Sequence, residues 1–278
     1  MKGILSNRNE RIMGSRIITI FSNQTILSLE TKTEFVDKLR KAGFQVIFEY
    51  DPEAELIACI GGDGAFIHAV HACGFPKTPF LGINTGHLGF FQEIQPEDLD
   101  AFIENYLDEK YRIQTLITVK ARVVHKGGEE QLEALNEIVV RAGGSYAVHF
   151  DISIGDSYIE RFSGDGICVA TPAGSTAYNY SLGGGIVDPR LRALQVTPIA
   201  PMNTIAYRCF TSSILLPSEL SFGIVPEKAY KEISINTDGI EHSFENLKEV
   251  RIEISDKVVN LLRFESYDFW NKVKSKFL

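Results

Sequence analysis

Long apolar runs are missing from this sequence. Nowhere in its 278 residues does an uninterrupted hydrophobic stretch approach the roughly 20 residues that a bilayer-spanning helix needs. The opening MKGILSNRNERIMGSRIITIF scatters Arg and Asn where a secretory signal requires an apolar centre. Cysteine is scarce, and Cys59, Cys73, Cys168 and Cys209 lie far apart without a C-x-x-C pair, so neither a zinc knuckle nor a disulfide framework is indicated. Cys59 and Cys168 sit in the apolar runs LIACI and ICVA, where a free thiol behaves as a small hydrophobe. These absences predict a reduced, cytoplasmic protein. Positive charge is also in deficit, with 28 Lys and Arg against 36 Asp and Glu and a net charge of -8. That balance argues against nucleic acid or an anionic membrane as partner, since both need a basic face. It does not exclude a small anion, because backbone dipoles can hold phosphate without any lysine. Neither G-x-x-x-x-G-K-[ST] nor G-x-G-x-x-G occurs, so a P-loop NTPase and a standard Rossmann dehydrogenase are unsupported. Repeats and low-complexity tracts are lacking too, and 44% hydrophobic with 23% charged residues is the composition of a globular chain.

What is present divides into two rhythms. RIITIF (16–21), FQVIFEY (44–50), ELIACI (55–60) and FLGINTG (80–86) read as strands. Between them the spacing predicts helices, one from about Ser28 to Ala42 with Gly43 as its C-cap and one over AFIHAVHAC (65–73). QPEDLDAFIENYLDEKY (95–111) is an amphipathic helix opened by Pro96 and two acids. Strands alternating with helices predict a parallel, Rossmann-like α/β layer. After about Thr115 the chain turns to alternating strands such as ITVKARVVH, LEALNEIVVRA and EVRIEISDKVVNLLRF, broken by Gly, Asp and Asn turns. The only long helix expected there lies around 174–196. This half reads as a mostly-β domain of sandwich type. YDFWNKVKSKF then turns helical again, with Phe269, Trp270, Val273 and Phe277 on one face that needs an apolar dock, and it is expected to return to the first domain. The predicted boundaries are 1–115 with 264–278 for the α/β domain and 116–263 for the β-rich one.

Two glycine clusters carry chemistry. ELIACI-GGDG-AFIHAV is strand, turn and helix, the context in which amides at a helix N-terminus hold phosphate. A carboxylate among such amides repels an anion, so Asp63 needs a chemical reason. Taking a proton from an attacking hydroxyl is one, and organising Mg²⁺ is another. Capping the helix that starts near Ala65 is the structural alternative. The second cluster, RFSGDGICVATPAGSTAYNYSLGGG (161–185), concentrates glycines and hydroxyls with Tyr178 within reach of a base or ribose. His68 and His71, three apart on a helix, have no third ligand nearby and are assigned no metal.

GGDG (61–64), INTGHLGF (83–90), LNEIVV (135–140), GDGICVATPAGSTAYNYSLGGGIVDP (164–189) and FESYDFW, in this order, resemble the NAD kinases of bacteria and eukaryotes. GGDG alone is shared with diacylglycerol, sphingosine and phosphofructo-type kinases, whereas NTGHLGF, LNE and TP-x-GSTAY together are far more specific. The resemblance implies phosphorylation of the adenosine-ribose 2′-hydroxyl of NAD to give NADP, from ATP or polyphosphate, with Mg²⁺ or another divalent metal. It implies that Asp63 is the base or orienting carboxylate, with Gly62 and Gly64 near the donor phosphates. Phe90 would lie against NAD, Asn136 would read adenine and Glu137 would bind a ribose hydroxyl. Thr176, Ala177, Tyr178 and Ser181 would line the adenine-ribose pocket, with Asp165 and Ala200 at the nicotinamide end. Asp165 would come from a neighbouring subunit, since the resemblance also implies a homodimer or homotetramer.

Three residues depart from the family pattern: Ala65 where Thr is common, Ser163 where Arg is frequent, and Ala173 where Ser or Thr is frequent. Each removes at most a hydrogen bond or one cationic contact, which bears on affinity and donor preference rather than on the class of reaction. The alternatives are a lipid or sugar kinase of the GGDG superfamily and a non-catalytic NAD(P)-sensing module.

Overall fold

The structure is a computed structural model that describes residues 16–87, 89–203, 208–230 and 232–277. The opening stretch read against a secretory signal lies largely outside these residues, as does Leu88 of NTGHLGF. Two compact units emerge, one running to Gln114 and resuming from Asn260, the other Thr115–Val259.

The first unit is a parallel sheet flanked by helices. Its strands are β1 (Ile17–Ser22), β2 (Gln45–Ile47), β3 (Leu56–Gly61), β4 (Phe80–Asn84) and β5 (Gln92–Ile94). They lie in the order β5-β4-β3-β1-β2, all parallel. β3 is buried throughout, as its unbroken apolar run requires in a sheet covered on both faces. The helices are α1 (Ile26–Lys41), α2 (Asp63–Ala72) and α3 (Leu99–Leu107). Thr25 caps α1 by accepting from the Ser28 amide, and Gly43, one residue beyond the cap, takes φ +90°. On one side of the sheet Phe35 of α1 meets Phe102 of α3 edge-on at 5.6 Å; on the other, Phe66 of α2 stacks on Phe91 at 4.8 Å.

The second unit is a β-sandwich. Its strands are β6 (Arg112–His125), β7 (Gly128–Ala134), β8 (Glu137–Ala142), β9 (Val148–Ile154), β10 (Ser157–Gly164), β11 (Gly166–Ala170), β12 (Ala193–Ile199), β13 (Ile214–Pro217), β14 (Phe222–Pro226), β15 (Ile233–Thr237), β16 (Ile240–Phe244) and β17 (Glu249–Arg263). One layer runs β10-β9-β14-β17-β6-β7 and the other β13-β12-β11-β8-β15-β16. Val119, Phe150, Phe222 and Ile252 from the first layer share one core with Ile138, Ile167, Val196 and Ile235 from the second. A one-turn helix α4 (Tyr178–Ser181) precedes β12. The end of β17 belongs to the first unit, where Leu261 pairs with Phe80, and the chain finishes in α5 (Phe269–Phe277).

Three expectations are corrected. No long helix spans 174–196: a 3-10 turn over Ala173–Thr176 and α4 are followed by irregular chain to β12. Gly183–Gly185 and Pro189 deny that segment helical propensity, and Gly184 is pressed against Asn179 and Gln195 so closely that no side chain fits. FQVIFEY contributes only Gln45–Ile47 to the sheet. Trp270 does not share the buried face of α5 but is 49% exposed, while Val273 is buried.

Candidate functional site

The first unit contributes the GGDG turn. β3 ends at Gly61 with φ +149°, and a Cβ there would come within 2.6 Å of the Ala65 side chain. Gly62 caps α2 without a side-chain bond, and Asp63 is the first helical residue. Its carboxylate does not cap α2, so the structural alternative for Asp63 fails. It turns instead to the segment after β4: Phe90 N–H donates to Oδ2 and Phe91 N–H to Oδ1, both at 3.0 Å. A bidentate hold of this kind fixes both carboxylate oxygens while leaving each a free lone pair. Gly64 is exposed with open space around its α-carbon.

Lys276 and Gln92, near Asp63 and its holding segment, had no signal in the motifs. Lys276 of α5 brings its Nζ to 3.7 Å from Asp63 Oδ2 and 4.9 Å above the Phe90 ring. Phe90 is 6% exposed and packs against Phe269 and Phe277. Gln92 is buried, and neither end of its carboxamide has a hydrogen-bond partner among the described residues. A Cβ on Gly89 would collide with both the Gln92 Oε1 and the Asp63 carboxylate, so glycine alone fits between them.

The second unit gathers the LNE and GSTAY segments. Asp238, in the turn between β15 and β16 with φ +53°, accepts from the amides of Leu135 and Asn136 at 2.7 Å and of Glu137 at 3.1 Å. From the other side the Thr171 amide donates to the Asn136 carbonyl at 2.8 Å, and Gly174 packs on that same carbonyl. Asn136 is thus held by its backbone on both sides, leaving its side chain for another task. Its Oδ1 and the neighbouring Glu137 Oε2 are buried without partners among the described residues. Buried polar atoms are normally satisfied, so two adjacent orphans indicate a place that a ligand completes. Burial, aided by the negative charge of Asp238, pushes the Glu137 carboxyl up to about 8. Thr176 closes the 3-10 turn by donating to Ala173 O at 3.3 Å, Ala177 links it to α4, and Tyr178 and Ser181 are exposed.

Asp165 and Ala200 are brought together. The Asp165 amide donates to Ile199 O at 2.9 Å, immediately before Ala200, and both residues are exposed. Ala200 takes φ +44°, a costly conformation for a residue with a Cβ. Ser163 is fully buried, its amide donating to Cys209 Sγ at 3.1 Å, so this side chain is not placed to reach a phosphate.

Comparison with known proteins agrees with the motifs found in each unit. Residues 17–111 match the family described as ATP-NAD kinase N-terminal domain, and residues 135–264 match the ATP-NAD kinase C-terminal domain. An NAD kinase of Finegoldia magna is 40% identical, covering 95% of this chain and 98% of its own, and NAD kinase 1 of Listeria innocua is 36% identical, covering 85% and 91%. Yeast NADH kinase, solved with NADH, has the same fold at a TM-score of 0.84 and 20% identity, covering 94% of this chain and 87% of its own. An NAD kinase from Archaeoglobus fulgidus, solved with ATP, superposes at 0.73 with 22% identity, covering 94% and 99%. With both domains matched and relatives this similar aligned along nearly their full length, the chain belongs to the NAD kinase family.

Proposed function

We propose that this protein transfers the terminal phosphoryl group of ATP, or of polyphosphate, to the 2′-hydroxyl of the adenosine ribose of NAD, giving NADP. The observation that carries the reading is the Asp63 carboxylate, oriented by the amides of Phe90 and Phe91 and not consumed in capping its helix. Each oxygen keeps a lone pair, and one accepts the acceptor hydroxyl and aligns it for in-line attack. The O–P bond to the ribose oxygen forms as the bond to the donor's bridging oxygen breaks, and Asp63 holds the hydroxyl proton. Because phosphoryl transfer passes through a loose transition state, orientation counts for more than basicity.

Gly62 and Gly64 lie beside the donor phosphates, where the α2 amides face the anion. Among the described residues no cluster of three His, Cys, Asp or Glu side chains offers a protein cage for a cation, so a divalent ion would be held chiefly by the donor's phosphate oxygens and water, where it would neutralise charge on the transferring group. Asn136 reads the adenine edge with its Oδ1, which has no partner among the described residues, and Glu137, protonated below about pH 8, donates to a ribose hydroxyl. Thr176, Ala177, Tyr178 and Ser181 line the adenine-ribose pocket. Phe90, with 6% of its surface uncovered, lies against NAD over that small area. Asp165 and Ala200 serve the nicotinamide end, Asp165 from a neighbouring subunit of a homodimer or homotetramer. We take the domain limits as 1–115 with 264–278 for the α/β domain and 116–263 for the β-rich one, beside compact units that divide after Gln114 and after Val259. A cytoplasmic setting accords with four free, buried cysteines, and no helix among the described residues is long and apolar enough to cross a membrane.

Incubation of the purified protein with Mg²⁺, ATP and NAD should yield NADP. Binding of NAD without NADP from either ATP or polyphosphate would replace this reading with a sensing module.

A further inference from the structure

The two peptide units that hold Asp63 are each gripped from behind by a cation. In the Gly89–Phe90 unit the N–H points at Asp63 Oδ2, while the carbonyl of Gly89 accepts from Lys272 Nζ at 3.2 Å. In the Phe90–Phe91 unit the N–H points at Asp63 Oδ1, while the carbonyl of Phe90 accepts from Arg263 Nη2 at 2.9 Å. Lys272 also donates to the carbonyl of Gln92. Arg263 is 2% exposed and is oriented by Glu93 Oε2 at 3.0 Å and Gln114 Oε1 at 2.9 Å.

A cation on a peptide oxygen draws electron density toward the carbonyl and makes the N–H at the other end a stronger donor, so hydrogen bonds in series reinforce one another. A carbonyl held in place also fixes the plane of its peptide, and with it the direction of the N–H. We propose that Lys272 and Arg263 are positioning residues for the reaction, acting on Asp63 through the Gly89–Phe90 and Phe90–Phe91 peptides. The inference rests on the catalytic reading of Asp63 given above, and it assigns α5 a part in the chemistry that its sequence pattern of apolar residues does not suggest.

The charge on Lys272 is what the relay uses. Its Nζ is faced by Arg263 from β17, Glu93 from β5, Asp63 from α2, and Tyr267 and Lys276 from its own C-terminal segment. Burial, then the like charge of Arg263, pushes the ammonium down to about 8. Deprotonation at mildly alkaline pH therefore weakens the pull on Gly89 O while leaving the side chain in place.

Arg263 is deeply buried and its replacement risks misfolding, so Lys272 carries the test, as Lys272→Met and Lys272→Arg in the full-length protein. Amide hydrogen exchange at Phe90 and Phe91 should quicken by about tenfold in Lys272→Met, with the β3 amides unchanged. NADP formation in that variant should show kcat reduced by roughly tenfold or more with little change in KM for NAD. Lys272→Arg should restore both, and should remove the fall in wild-type kcat near pH 8, because guanidinium stays charged there. Unaltered exchange at Phe90 and Phe91, or altered exchange with wild-type kcat, overturns the proposal. A wild-type protein that forms no NADP strikes the catalytic reading instead, and the exchange comparison still decides whether Lys272 acts on these two peptides.

Discussion

Gly174 and Asn136 meet so tightly that no Cβ fits between them: a methyl group on residue 174 would overlap the backbone carbonyl of Asn136. The contact joins the GSTAY segment to the LNE segment across 38 residues of sequence, within one unit of the fold. Gly174→Ala must push one backbone away from the other. The expected result is a loss of about 1–3 kcal/mol in unfolding free energy and a raised KM for NAD, checked by denaturant melts and initial rates. Unchanged stability would mean that the two segments yield freely.

Asp63→Asn separates orientation from structure. An amide keeps one accepting oxygen and turns an NH₂ toward a backbone N–H, so one of the two bonds from Phe90 and Phe91 is lost. NADP formation should fall by about 10²–10⁴-fold, while NAD binding, measured by calorimetry, stays within a few-fold. Near-normal turnover would remove Asp63 from the reaction.

Glu137 makes stability depend on pH in an uncommon direction. Its carboxyl is raised in the folded protein from 4.5 to about 8, so the folded state holds the proton more tightly than the unfolded one. The contribution of Glu137 to stability is therefore greatest below pH 4.5, declines between there and about pH 8, and levels off above. Glu137→Gln removes that slope, so the stability difference between variant and wild type should move in the variant's favour by about 3–5 kcal/mol across the window. Urea melts from pH 5 to 9, read as the difference between the two proteins, test it; parallel pH curves would contradict it.

Asp238 is the anchor of the same loop. Removing its carboxylate in Asp238→Ala strands the amides of Leu135, Asn136 and Glu137 and should cost about 2–4 kcal/mol, with NAD binding weakened at the same time. The variant also loses the negative charge that helps raise Glu137, so its pH-dependent slope should be shallower than in wild type. A steeper slope would show that Asp238 does not face Glu137 as a charge.

Much of the site was legible because it consists of short, contiguous signals. GGDG after an apolar strand, LNE before β8 and GSTAY after β11 each mark a place where backbone conformation and one functional side chain are encoded together. The residues that hold those side chains in place were not legible. Asp238 belongs to an ordinary-looking NTDG turn, Gln92 and Glu93 to a short strand, and Arg263 and Lys272 to a segment whose pattern reports only alternation and an apolar face. Their roles arise from contacts spanning about 100 residues or more between Asp238 and Asn136 and more than 170 between Arg263 and Phe90, which no local pattern records. The helix expected over 174–196 failed for a related reason. Gly183–Gly185 and the close approach of Gly184 to Asn179 and Gln195 set the backbone there.

The sequence by itself determined the alternation of a parallel α/β layer with a β-rich one, a net charge of -8, and the presence of a carboxylate in a phosphate-type turn. Those are consequences of hydrophobic periodicity, charge balance and glycine placement, all of which act over a few residues. Tertiary structure alone decided how that carboxylate is used. It turned Asp63 away from its own helix toward Phe90 and Phe91, set Lys272 and Arg263 behind those peptides, and left Asn136 Oδ1 and Glu137 Oε2 buried without partners among the described residues. Orientation and desolvation are properties of packing, so they exist only once distant segments have met.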